Sequence, residues 1–190
     1  MREKDKDFFK LPLTIVASYF IVYLILFNVL SMGVIKFLIF SLVLFLLSIF
    51  FYTASNRTKY RSKESYFASI SAILMYFSLF ITPSIAGMIS FNIWGWLALM
   101  LFLLFLIWQN NEFKKRFFYF ALFLLFFTNA VSLLAGSFNL NLIIVIVSAI
   151  FCVLLYFYRK KDFEKQLFLK LLFSSFLIIF ITHISSFVQM

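Results

Sequence analysis

Charged residues fall along this chain in short runs, and between the runs lie four long apolar blocks, 11–54, 67–108, 117–158 and 167–190. Within the blocks the apolar residues fill whole turns and do not alternate with polar ones, so barrel strands do not fit and apolar helices do. A helix needs about 20 residues to cross a hydrocarbon core roughly 30 Å thick. The first three blocks are about twice that length and the last is about equal to it, which predicts seven spans.

Each long block carries helix breakers near its middle. These are Ser31, Met32 and Gly33 in the first, Pro83, Ala86, Gly87 and Asn92 in the second, and Gly136, Ser137, Asn139 and Asn141 in the third. Folding back as helical hairpins keeps every backbone group hydrogen-bonded inside lipid, where an unpaired one costs several kcal/mol. The expected fold is an all-α polytopic transmembrane bundle, with spans near 11–31, 34–54, 67–84, 91–108, 117–135, 140–158 and 167–188. A cytoplasmic segment, 1–10, precedes a single transmembrane domain, 11–190. Arg2, Lys4, Lys6 and Lys10 ahead of the first block read like a secretory signal, but the apolar run is too long and has no small-x-small cleavage site. An uncleaved first span is expected.

Composition strengthens the membrane reading. The 190 residues are 65% hydrophobic and 13% charged, and 31 are Phe; a soluble domain would have to expose many of those rings in aggregating patches. All 17 Lys and Arg except Lys36 sit at the ends of blocks that share one side in the hairpin scheme. Basic connections stay in the cytoplasm, so the amino terminus is expected inside and the carboxyl terminus outside. Tyr52, Tyr66, Trp108, Tyr119, Tyr156 and Tyr158 near one set of span ends, and Trp94 and Trp96 near the other, suit interfacial belts. The sequon at Asn56 falls on the predicted cytoplasmic side, where glycosylation is not expected. The net charge of +10 is scattered between apolar blocks and not gathered on a folded face, which argues against nucleic acid as a partner and for anionic lipid headgroups. The Phe, Ile and Lys bias suits a bacterial plasma membrane.

Little of this composition carries chemistry. All seven acids, Glu3, Asp5, Asp7, Glu64, Glu112, Asp162 and Glu164, lie in predicted cytoplasmic segments, which argues against carboxylate-coupled transport or an intramembrane aspartyl pair. Microbial rhodopsins share the seven-span count, but Lys170 lies near the mouth of the last span and no intramembrane acid stands ready as counter-ion. Cys152 is the only cysteine and His183 the only histidine, so neither an intramolecular disulfide nor a usual multi-ligand metal site is expected, and no cofactor is implied. His183, beside Thr182, Ser185 and Ser186, is the one candidate general base. The simpler reading, a histidine bonded to water or a carbonyl, is preferred.

Candidate ligand-binding positions are Thr82, Thr128, Asn129, Thr182 and His183, within a wider set of outer-half polar residues that includes Asn28, Ser84, Asn92, Asn139 and Asn141. Such residues more often hold helices together. Ala68, Ser69, Ser71 and Ala72 read as a close-packing face. Arg57, Lys59, Arg61 and Lys63, with Arg159, Lys160 and Lys161, are candidates for a lipid headgroup or an acidic partner, although topology alone would also place them there. The leading functional expectation is a non-enzymatic accessory or scaffold subunit of a membrane assembly, or a small homo-oligomer, whose partners are the lipid bilayer and other membrane subunits or copies of itself. The alternatives are a permease or channel-forming subunit for a small or lipophilic solute, and an intramembrane lipid-modifying enzyme using His183.

Overall fold

A computed structural model of the chain describes residues 3–30, 33–81, 93–109, 112–134, 138–158 and 163–188. All regular structure among them is helical. The helices are α1 (Glu3–Leu30), α2 (Val34–Arg57), α3 (Arg61–Tyr76), α4 (Ile93–Gln109), α5 (Phe113–Leu134), α6 (Phe138–Phe157) and α7 (Phe163–Val188), and α3 runs on into a π-helical turn, Phe77–Ile81. Four contain stretches long and apolar enough to cross a membrane: Phe8–Val29, Ile35–Arg57, Leu140–Phe157 and Gln166–Ile184. Gly95–Gln109 is a shorter apolar stretch. These are the helices of a protein integral to a membrane.

The helices extend past the predicted spans at their charged ends. α1 begins at Glu3, α2 continues to Arg57, and α3 begins at Arg61, so most of the predicted 55–66 connection is helix and only residues 58–60 join the two. Lys, Arg and Glu are good helix formers in water, and Glu64 in the first turn of α3 also complements the positive end of the helix. Asn139 and Asn141 lie inside α6, not in a turn, and Asn141 is buried. Of the predicted breakers, Gly33 is described: it precedes α2 at φ 104, a backbone region that favours glycine, and its carbonyl accepts the Phe37 N–H at 3.1 Å. Ser31, Met32, Pro83, Ala86, Gly87, Asn92, Gly136 and Ser137 lie outside the described residues.

The chain divides into two compact units, one of Ala17–Phe123 and one of Met1–Val16 with Leu124–Met190. In the first, α2 packs antiparallel on α3 through a serine ladder. Ser41 Oγ donates to the Ser78 carbonyl and Ser78 Oγ donates back to that of Ser41, both at 3.0 Å. Ser48 Oγ donates to the Ser71 carbonyl at 3.1 Å, and Ser71 Oγ returns the bond at 2.8 Å. Ser55 Oγ closes the ladder on the Glu64 carbonyl at 3.0 Å.

Ser41, Ser48 and Ser55 stand seven residues apart, as do Glu64, Ser71 and Ser78, so both sets keep to one stripe as the helices wind about each other. Serine is small enough to bring the backbones within reach of each other's hydroxyls, and each interhelical bond adds about 0.6 kcal/mol. α3 is closed on its other sides too, with Ala68, Ser69, Ala72, Ile73 and Tyr76 buried. The face of α2 opposite the ladder, including Ile35, Ile39, Leu42, Leu46 and Phe50, is exposed.

In the second unit α6 packs on α7. Phe151 stacks on Phe176 with centroids 4.7 Å apart and planes at 6°. The first turns of α1 join the same unit through Phe8, which is fully buried with its ring 6.1 Å from Tyr156 and 5.7 Å from Phe173. Phe9 stacks on Tyr156 at 5.4 Å, and Lys170 Nζ lies 5.9 Å from the Phe8 ring centroid. Much of α6 remains exposed, including Ile143, Ile146, Ile150, Val153 and Phe157.

Candidate functional site

The basic residues expected to meet a headgroup or partner occupy different positions around the α2–α3 connection. Arg57 ends α2, Lys59 lies in the connection, and Arg61 and Lys63 lie in the first turn of α3. All four are exposed. Lys59 and Arg61, joined by Glu64, Glu112 and Phe113, line a cleft of about 520 Å³. Arg159, Lys160 and Lys161 lie outside the described residues.

Ring contacts and an ion pair orient the charges here. The Arg61 guanidinium carbon sits 5.6 Å from the Phe113 ring centroid, and Lys63 Nζ sits 5.2 Å from that of Tyr60. Exposed contacts of this kind contribute about 0.5–1 kcal/mol each. Lys115 Nζ pairs with Glu112 Oε2 at 3.2 Å. Its hydrogen bond to Glu112, and then the Glu112 charge, hold the Lys115 ammonium above its ordinary pKa. Glu64 is only 8% exposed.

Two helices start at this cleft, α3 at Arg61 and α5 at Phe113. The residue that opens α3, Tyr60, makes no side-chain capping bond. The N–H groups of a helix start carry partial positive charge and suit an anion. The cleft thus brings two cations, two carboxylates and two helix starts to one place.

Of the predicted outer-half positions, the structure brings Thr182 and His183 together and uses both on their own helix. His183 is buried, with Nδ1 2.8 Å from the Ile179 carbonyl and 3.3 Å from Thr182 Oγ1. Thr182 Oγ1 also donates to the Ile178 carbonyl at 2.9 Å. Thr128 is buried and donates to the Leu124 carbonyl at 2.7 Å, and Asn129 beside it is half-buried. Asn28 is exposed and donates to the Leu24 carbonyl at 2.8 Å. Thr82 lies outside the described residues.

A second cleft, of about 210 Å³, opens among α5, α6 and α7 and is lined by Phe127, Val131, Ile143, Val147, Phe176 and their neighbours. Ser148 supplies its hydroxyl, which donates to the Val145 carbonyl at 3.0 Å. Such a lining suits a hydrocarbon chain. Among the described residues no group of three or more His, Cys, Asp or Glu comes together to hold a metal.

Sequence reasoning passed over Glu64, Glu112 and Phe113 as lining residues of the cleft. Glu64 stands seven residues before Ser71 in the same repeat, but that spacing marks the packing stripe, where its backbone carbonyl accepts from Ser55, and not a binding carboxylate. Glu112 and Phe113 carried no signal, since nothing local says that the α4–α5 connection meets the start of α3. No protein-family model, curated protein or solved structure matches this chain.

Proposed function

We propose that this protein spans a bacterial plasma membrane seven times, amino terminus inside, and acts without catalysis as a scaffold or accessory subunit of a membrane assembly, or as a small homo-oligomer. One observation carries this reading: among the described residues, many buried serine and threonine side chains are engaged within and between the protein's own helices, while α2, α4 and α6 each keep a bulky apolar face open. The Ser41–Ser78 and Ser48–Ser71 pairs illustrate the first half. Leu101, Phe102 and Phe105 on α4 illustrate the second, with the α2 and α6 faces described above. Faces of this kind suit lipid or the apolar helices of another subunit, where association rests on packing.

The test is purification of the full chain in mild detergent, with its mass measured in solution and in-membrane crosslinking beforehand. The expected particle exceeds one chain. A clean monomer that crosslinks to nothing in its membrane would overturn the proposal. Solute flux in proteoliposomes that disappears on replacing Thr128 and Asn129 by Leu would favour the permease reading instead.

A further inference from the structure

We propose that the cytoplasmic half of the open α2 face holds an anionic phospholipid, with its phosphate on Arg57 and Lys59 and its acyl chains along Leu46 and Phe50. This rests on the membrane reading above, which puts the α2–α3 connection at the bilayer surface.

Folding sorts the charges of the connection by sign. Glu64 is the one acid in residues 55–66, and it is buried, with its backbone carbonyl taken up by Ser55. Arg57, Lys59 and Lys63 are exposed. The connection therefore presents a surface of one sign, although its sequence carries both. Such a surface complements a headgroup of net negative charge, because each cation near the bilayer surface adds attraction for it. A zwitterionic headgroup brings its own cation into the same field and gains less. Arg57 in addition presents a planar fork of donors suited to phosphate oxygens.

The same helix carries a place for the chains. Leu46, Phe50, Thr53 and Arg57 stand four, three and four residues apart, so they share one stripe of α2, and all four are exposed. Arg57 is the last residue of the apolar span Ile35–Arg57. At 1.5 Å rise per residue Leu46 lies about 16 Å below it, about half the thickness of a hydrocarbon core. Apolar surface one leaflet deep, ending in a guanidinium, matches the outline of a single phospholipid. Tyr60, exposed and with its ring centroid 5.2 Å from Lys63 Nζ, suits the level of the headgroups. An acidic protein would meet the cations alone and leave the stripe beneath them uncovered, which favours lipid.

The experiment titrates the full chain in mild detergent with phosphatidylglycerol, phosphatidylcholine and phosphatidylethanolamine of matched chains, read by native mass spectrometry and thermal shift. Glycerophosphoglycerol, which has the anionic headgroup and no chains, is a fourth probe. Phosphatidylglycerol is expected to bind at least about tenfold tighter than either zwitterionic lipid, the attraction of two surface cations, and to lose that preference at high salt. Glycerophosphoglycerol should give no shift. The R57Q/K59Q double variant should bind all three lipids alike. Both replacements are at exposed positions, and unfolding in lipid-free detergent checks that the variant is folded; if it is not, the salt dependence of the unaltered chain decides. Equal binding of the three lipids, a preference that survives high salt or the R57Q/K59Q change, a shift with glycerophosphoglycerol, or displacement of the lipid by an oligoglutamate peptide would overturn the assignment. Failure of the membrane reading looks different: the chain would leave vesicles on alkaline carbonate extraction.

Discussion

Ser71 has no measurable exposure, and its hydroxyl and carbonyl both face Ser48 across the α2–α3 pair. Size and polarity are both in use there, and two replacements separate them. Ser71→Ala keeps the close approach and removes the hydroxyl, so the loss should be small, about 1 kcal/mol or less. Ser71→Leu must push the helices apart and should lose about 1–3 kcal/mol. Unfolding in mixed detergent measures both, and equal losses would mean that shape matters less at this position than the ladder implies. Gly33 makes the complementary case, since a Cβ there would meet nothing within 4 Å yet its φ of 104 disfavours any side chain. Gly33→Ala should therefore cost about 1–3 kcal/mol through backbone conformation alone. A neutral result would show that the α1–α2 turn relaxes.

The helices themselves are longer than their apolar cores. α1 starts among Lys and Asp residues, and its polar turns are held because Phe8 enters an aromatic group with Phe9, Tyr156 and Phe173. Removing the ring by Phe8→Ala should lower stability by about 3 kcal/mol, and hydrogen exchange in residues 3–10 should speed up. Protection that stays unchanged would count against this anchoring role. At the other helix ends the same extension shortens the connection. Because α2 runs to Arg57 and α3 begins at Arg61, Lys59 and Arg61 are fixed relative to Glu64 and do not ride on a long loop.

At the scale of the whole molecule, the proposed orientation can be tested directly. Reporter fusions placed after Arg57, Trp108 and Tyr158 are expected in the cytoplasm, and fusions after Gly33, Gly136 and Met190 outside. Any inversion of that order breaks the seven-span proposal. The open apolar faces of α2, α4 and α6 belong to the same scale. Each is broad because the helix is apolar on nearly all sides.

Much of the helical order was legible from block lengths, because a chain in lipid must satisfy its backbone inside helices, and the Gly33 turn was legible because few residues break such a helix. The packing face around Ser71 and Ala72 was read as well, yet its partner was not, although Ser41, Ser48 and Ser55 already stood in register with it. Helix ends were less legible: apolar patterning stops where charge begins, while the helices continue through charged residues to Arg57 or back to Arg61. The charged cleft was decided by tertiary structure alone. Composition and periodicity act along one helix, whereas the meeting of Lys59 and Arg61 with Glu112 and Phe113 depends on how separate helices are placed, and no local pattern encodes that distance.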